Sequence, residues 1–387
     1  MVAPSKFPFL HLPHLARNEV LRQLTPFEII ILSLCSKSAN KLCKDIRKRA
    51  TNGGCCGNGN RIELKFSSRN EITLRFRDPR LTTWSFYIED SIDSRSFKVI
   101  KNLYTSSWTP SEDQVKFIIF RNERTRLDHN LRLFTTGPDD IEVIERWVLY
   151  LSDLFNASLD KLHLNSEYLG IEENKRIINA FGTEGSMTTF VLENGNVKGK
   201  EDEELIRWIL ENQPARRHLT LNFLPNEGFS FDFKTLKYYF WDIKIENSKW
   251  ISLEQTFDIN SMIIKLAGSS FTNNEFKIIM NKWKNGWNPN WSSMKIEFSE
   301  TLDVENFVSE NLSDNEVDPA SKPLLNVFAN LNLRLGGAED TIVYNVSRPD
   351  KTVMTIRIND KIVDFILYNL RKPYAINSSK EFFQIST

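Results

Sequence analysis

Residues 7–37 read FPFLHLPHLARNEVLRQLTPFEIIILSLCSK. After the Leu12-Pro13 start, Val20, Leu21 and Leu24 form an apolar stripe, which predicts a first short helix. Thr25-Pro26-Phe27-Glu28 restarts the chain. Thr25 is suited to cap a helix, Pro26 fits the first helical position because no amide is needed there, and Glu28 closes a capping box. Phe27, Ile30, Ile31 and Leu34 then fall on one face of a second helix, and Ser36-Lys37 opens a third that carries Leu42 and Cys43. Three short helices cannot bury a core of their own. The apolar surface they leave over is therefore an expected interface.

Outward from this stretch, residues 51–60 (TNGGCCGNGN) are a glycine- and asparagine-rich break. Residues 61–135 alternate with period two, as in Ile62/Leu64/Phe66, Ile72/Leu74/Phe76 and Trp84/Phe86/Ile88, which predicts half-buried strands. From 136 to 300, helix-like and strand-like pieces take turns. The strand-like pieces share the spacing apolar, two residues, apolar, one residue, apolar. It occurs at Leu159/Leu162/Leu164, Met187/Phe190/Leu192, Phe240/Ile243/Ile245, Ile259/Met262/Ile264 and Trp291/Met294/Ile296, with a weaker copy at Arg216/Leu219/Leu221. That is the skeleton of a leucine-rich repeat, here irregular in period. Phe276, Ile279, Met280 and Trp283 mark one helix face, Ser252 and Gln255 a capping box, and residues 201–204 an acidic helix start. Residues 301–325 form an acidic loop, and 326–372 close the chain with a strand meander. The fold class expected is α+β or α/β: a three-helix start, then an irregular leucine-rich-repeat-like αβ array with strands added at both ends.

Composition narrows the function classes. With 27 Phe and 9 Trp in 387 residues, the chain has ample material for a packed core. No apolar run approaches the roughly 20 residues of a membrane span, and the first residues lack a secretory core. Four cysteines, Cys35, Cys43, Cys55 and Cys56, are too clustered for a disulfide framework, which points to a cytoplasmic or nuclear setting. Residues 1–132 carry a net charge of +10 and the remainder −10, a split that fits different partners at the two ends or simply two solvated surfaces.

The residues 7–37 segment resembles an F-box. Leu12-Pro13, Val20, Leu24, Glu28-Ile29, Leu32-Ser33 and Cys35-Ser36-Lys37 stand where that pattern expects them, while His14-Leu15 replaces its usual acidic residue and Ala39 its usual aromatic. More narrowly, the chain is similar to nematode F-box proteins that carry a type 2 F-box-associated domain. Trp250-Ile251-Ser252-Leu253-Glu254 and Trp283-Lys284-Asn285-Gly286-Trp287-Asn288-Pro289 resemble the centre of that domain. Tyr344-Asn345-Val346-Ser347-Arg348-Pro349-Asp350 resembles its terminal hairpin, with Lys351 where glycine is usual. The resemblance implies an F-box at 5–50, a linker at 51–60, and an associated domain ending in the strands of 326–372. It implies the substrate-recognition adaptor of a Skp-cullin-F-box ubiquitin ligase. Leu12, Pro13, Val20, Leu24, Pro26, Ile29, Leu32 and Cys35 would then face a Skp-family linker protein, which reaches a cullin.

The alternative is a repeat-type interaction scaffold without ligase function. An enzyme is not expected. No Ser/His/Asp, Cys/His or paired-carboxylate set converges, and four Cys and five His without a Cys-x-x-Cys supply neither a transferase thiol nor paired zinc sites. His11 and His14 lack further metal ligands, and the glycines of 53–59 lack the Lys-Ser/Thr of a phosphate loop, so no cofactor or metal is expected. Nor is a nucleic-acid or membrane partner. A target protein is expected on the strand array. There the residue between the second and third apolar positions points away from the core, which selects His163, Val191, Thr220, Lys244, Ile263 and Lys295.

Overall fold

The computed structural model describes residues 9–51, 59–76, 84–89, 103–107, 114–121, 129–134, 140–182, 187–197, 199–303, 342–348, 350 and 352–368. The chain divides into two compact units, Met1–Tyr168 with Asn179–Met187, and Leu169–Ile178 with Thr188–Thr387. Most of the acidic loop and the chain end beyond 368 lie outside the described residues.

The first unit opens with α1 (His14–Gln23), α2 (Pro26–Cys35) and α3 (Lys37–Thr51). The Thr25 hydroxyl accepts the Glu28 amide at 3.3 Å, and the Thr25 amide donates to the Glu28 carboxylate at 2.7 Å, so the capping box read from the sequence closes. The faces differ from the expected ones. Ile29, Ile30 and Ser33 are buried while Ile31 is 39% exposed. Strands β1 (Asn60–Phe66), β2 (Asn70–Arg75), β3 (Trp84–Glu89), β4 (Leu103–Ser107), β5 (Gln114–Arg121) and β6 (His129–Phe134) precede α4 (Asp140–Phe155) and β7 (Ala157–Asn165). Their order in the sheet is β7-β1-β2-β3-β6-β5-β4. The expected alternation largely holds where burial is described: Ile62, Leu64, Phe66, Ile72, Leu74 and Phe86 are buried, and Phe76, just past the end of β2, is half-buried. Helix α4 ends on Asn156, whose φ of 48° is left-handed, a conformation that asparagine tolerates at a helix end.

The second unit holds most of α5 (Ile171–Phe181), followed by β8 (Thr189–Asn196), α6 (Lys200–Asn212), β9 (His218–Leu224), β10 (Phe240–Ile245) and α7 (Leu253–Asp258). Next come β11 (Ser261–Leu266), α8 (Asn273–Lys284), β12 (Ser293–Glu297), β13 (Ile342–Ser347), β14 (Val353–Asn359) and β15 (Ile362–Tyr368). Strands β8 to β12 run parallel in chain order. β15 then joins β12 antiparallel, and β14 and β13 complete the expected meander.

The repeated spacing has a backbone cause. Arg217 and His218 both donate their amides to the Thr188 carbonyl, at 3.1 and 2.9 Å, and Trp241 and Asp242 both donate to the Arg217 carbonyl, at 2.8 and 3.0 Å. Two successive residues thus face outward at the start of a strand where regular pleating allows one. The buried rows that result are Phe190, Leu219, Ile243, Ile264, Met294 and Phe365, and beside them Leu192, Leu221, Ile245, Leu266, Ile296 and Val363. One strand corrects the sequence reading. Ile264 and Leu266, not Met262 and Ile264, occupy the second and third slots of β11. The first slot is Ser261, fully buried, whose hydroxyl donates to the Ile263 carbonyl at 2.8 Å. A satisfied buried serine leaves no mark in a search for apolar residues.

Helix α8 buries Phe276, Ile279, Met280 and Trp283 as its spacing predicts, with Phe276 6.0 Å from the Phe365 ring. Its amino end carries a capping box, Thr272 with Glu275.

Candidate functional site

Two surfaces follow from the architecture, one in each unit. In the first, α2 and α3 rest on α4. The Ser33 hydroxyl meets the Tyr150 hydroxyl while donating to the Ile30 carbonyl at 2.6 Å, and Lys44 pairs with Asp153. Burial pushes the Tyr150 hydroxyl up to about 12, with the Ser33 bond pulling the other way. With this side of the helical unit committed to α4, several of its other apolar residues face solvent. Leu15 is 82% exposed and Val20 39%, and Pro13 and Cys35 are exposed as well. Leu12, Leu24 and Leu32 are half-buried.

Pro26 and Ile29, expected at a docking face, lie in the interior. Pro26 starts a helix whose inner side is built by Ile29, Ile30 and Ser33, so it is drawn inward with that face. The exposed residues absent from the sequence-based set are Leu15 and Ile31. Leu15 follows directly on the Leu12-Pro13-His14 start, and its distance from the Val20/Leu21/Leu24 stripe was the available signal. Fully covering a side chain as open as Leu15 is worth roughly 1.5–3 kcal/mol, and covering the 39% of Ile31 still in solvent correspondingly less.

In the second unit, one face of the sheet carries the buried rows and the other is half exposed. Register on that second face aligns Val191, Thr220, Lys244, Lys265, Lys295, Asp364 and Arg357. Four of the predicted target-binding residues, Val191, Thr220, Lys244 and Lys295, share this row. Ile263 does not. It stands in the neighbouring row with Asp242 and Ser293, and Lys265 takes the expected place. The Ser261 slot explains the displacement. His163 belongs to the first unit, on β7 in register with Lys65 of β1.

Lysines opposite one another on three adjacent strands are balanced in part. Lys265 donates to Asp242 at 2.6 Å, and Lys244 pairs with Glu246. Lys295 faces Asp364, whose carboxyl is raised by burial against the pull of Lys295 and Arg357.

The stretches Trp283–Pro289 and Arg348–Asp350 meet in this unit. The Arg348 guanidinium donates to the carbonyls of Trp283 and Trp287, at 3.1 and 3.0 Å, to the Asn288 side chain at 2.8 Å and to the Asp350 carboxylate at 2.7 Å. It also lies 5.0 Å over the Trp283 ring. Asp350 is held down at about 2, first by the Thr352 backbone amide and then by Arg348. Trp283 and Trp291 are buried, so this tryptophan cluster packs the turn after α8, as the sequence reading favoured.

Among the described residues there is no cluster of His, Cys, Asp or Glu able to hold a metal, and no helix long and apolar enough to cross a membrane. Residues 9–51 match the F-box domain. No curated protein and no solved structure matches the chain.

Proposed function

We propose that this chain is the substrate-recognition adaptor of a Skp-cullin-F-box type ubiquitin ligase, with α1 to α3 docked on a Skp-family linker and the second unit holding a target protein. The observation that carries the reading is the F-box match at 9–51, together with the three helices folded there and Leu15, Val20 and Ile31 left in solvent. F-box proteins are in general non-catalytic subunits of such ligases, and the linker-protein interface is what their helical domain supplies.

The finer reading is a type 2 F-box-associated domain of the nematode kind. It is supported by the Arg348 contacts, which bring the two quoted stretches together across 65 residues of sequence. The recurring strand and helix units support an irregular leucine-rich-repeat-like array as the target-binding part.

The test is calorimetry of the purified chain with a recombinant Skp-family linker. One-to-one binding is expected. Pro13→Ala with Val20→Glu changes two exposed residues and, once thermal unfolding shows the variant folded, is expected to cost more than about 2 kcal/mol of affinity, the scale of an interface hot spot. A wild-type chain that ignores the linker sinks the adaptor reading in favour of an interaction scaffold.

A further inference from the structure

The half-exposed face of the second unit's sheet contains an arrangement that folding alone disfavours. Lys244 lies opposite Lys265, and Lys265 opposite Lys295. Like charges directly opposed on neighbouring strands, about 4.8 Å apart, destabilise a sheet. The protein offsets them with single carboxylates: Glu246 on Lys244, Asp242 on Lys265, and Asp364 across from Lys295. Even so the Lys244 and Lys265 side chains remain 43% and 37% exposed. Arg357 continues the row beyond Asp364, and with Glu297 two residues along β12 from Lys295 the four cations of this face meet four carboxylates.

Beside this ladder the same face turns apolar. Trp241 is 46% exposed, and Met262 and Ile263 are half-buried, where a sheet surface facing only water is more often polar. An exposed tryptophan next to methionine is the composition of an interface centre. Ile263 and Lys265 are two apart on one strand, hence about 6.7 Å apart on one face, which is also the distance between same-side residues of an extended peptide.

We propose that this face docks a protein segment bearing carboxylates beside an apolar side chain, the carboxylates on Lys265 and Lys295 and the apolar group on Trp241, Met262 and Ile263. The proposal rests on the target-binding reading of the second unit and gives that target its chemistry. The sheet's own carboxylates show what the lysines accept, and the half-exposed Lys265 ammonium, with three donors, has room for a second acceptor beside Asp242. A nucleic-acid strand fits less well, because Glu246 and Glu297 border the ladder and repel a continuous phosphate chain.

A random dodecapeptide display library selected on the full-length chain tests this. Wild type is expected to enrich peptides with Asp or Glu two positions from an aromatic or aliphatic residue. Against the best of these, measured by fluorescence anisotropy, Trp241→Ala and the charge-neutral pair Lys265→Gln/Lys295→Gln should each weaken binding at least about tenfold. Lys265→Glu/Lys295→Glu should shift the enrichment toward basic peptides. Enriched peptides without acidic bias, undiminished binding by the neutral pair, or no enrichment over bare support overturns the proposal. Linker affinity is measured on the same preparations. A chain that binds the linker but enriches no acidic peptide leaves the adaptor reading standing without this surface. One that enriches such peptides but ignores the linker does the reverse.

Discussion

On α1 and α2, apolar side chains such as Leu15 and Ile31 are left in solvent; at the end of β13 a charged one, Arg348, is taken out of it, its side chain only 4% exposed. The first arrangement is unfavourable for the isolated chain and becomes favourable when a partner covers it. The second is completed inside the unit, because carbonyls, an amide oxygen and a carboxylate receive the guanidinium's protons. An unsatisfied group thus marks where the molecule meets others, and an over-satisfied one marks where it closes on itself.

The largest expected effect tests the closed end. Arg348→Ala leaves the Trp283 and Trp287 carbonyls and the Asn288 side chain without their donor and removes the tie between the β13–β14 turn and the end of α8. Leaving a buried acceptor without its donor typically costs about 1–3 kcal/mol. Guanidinium unfolding should show a loss of that size. Arg348→Lys should recover only part of it, since a single ammonium cannot span four acceptors. A loss below about 1 kcal/mol would mean that water serves these carbonyls equally well, and the contrast with the open helices would fail.

A smaller effect is expected at the helical end, where the organising device is local. Thr25→Ala removes the acceptor for the Glu28 amide and should cost about 1 kcal/mol, read from the thermal unfolding of the first unit. Linker affinity should fall by no more than that amount if the cap only orders α2. A much greater fall would place Thr25 in the interface itself.

This difference in range explains what the sequence disclosed. The Thr25 and Ser252 boxes, the α8 face and the acidic start of α6 are each governed by residues within one or two turns, and all are present. The strand spacing was legible as well, since at the starts of β9 and β10 two successive amides share one carbonyl. What escaped was decided by distant partners. Ile31 and Ile29 exchanged places because α2 must turn Ser33 toward Tyr150, 117 residues away. Ile263 gave way to Lys265 because a buried serine imitates an outward residue. The role of Arg348 is set by carbonyls at the far end of α8, which no local pattern records. At the candidate sites, therefore, four positions of one row were legible, Val191, Thr220, Lys244 and Lys295, while Lys265, which completes it, was not.

The finest expected effect concerns the seam where the helices meet α4. The Tyr150 hydroxyl ionises near 10 in an unfolded chain and at about 12 here, because burial disfavours the phenolate. Below pH 10 both states hold the proton, and the folded chain has the full benefit of its neutral, bonded hydroxyl. As pH rises from about 10 toward 12 the unfolded chain releases a proton that the folded one retains, so stability falls through that window. Tyr150→Phe removes both the bond and the titration. At pH 7 the variant should be less stable by about 0.5–1.5 kcal/mol, toward the low end because Ser33 keeps its bond to the Ile30 carbonyl. Toward pH 11 the gap should narrow, since only wild type loses stability through this group while all other tyrosines titrate equally in both proteins. Thermal midpoints of the pair at pH 7, 9, 10 and 11 measure it. A gap that stays constant across the series would mean that Tyr150 is solvated in the folded protein, and that the helices sit on α4 more loosely than the Ser33 contact describes.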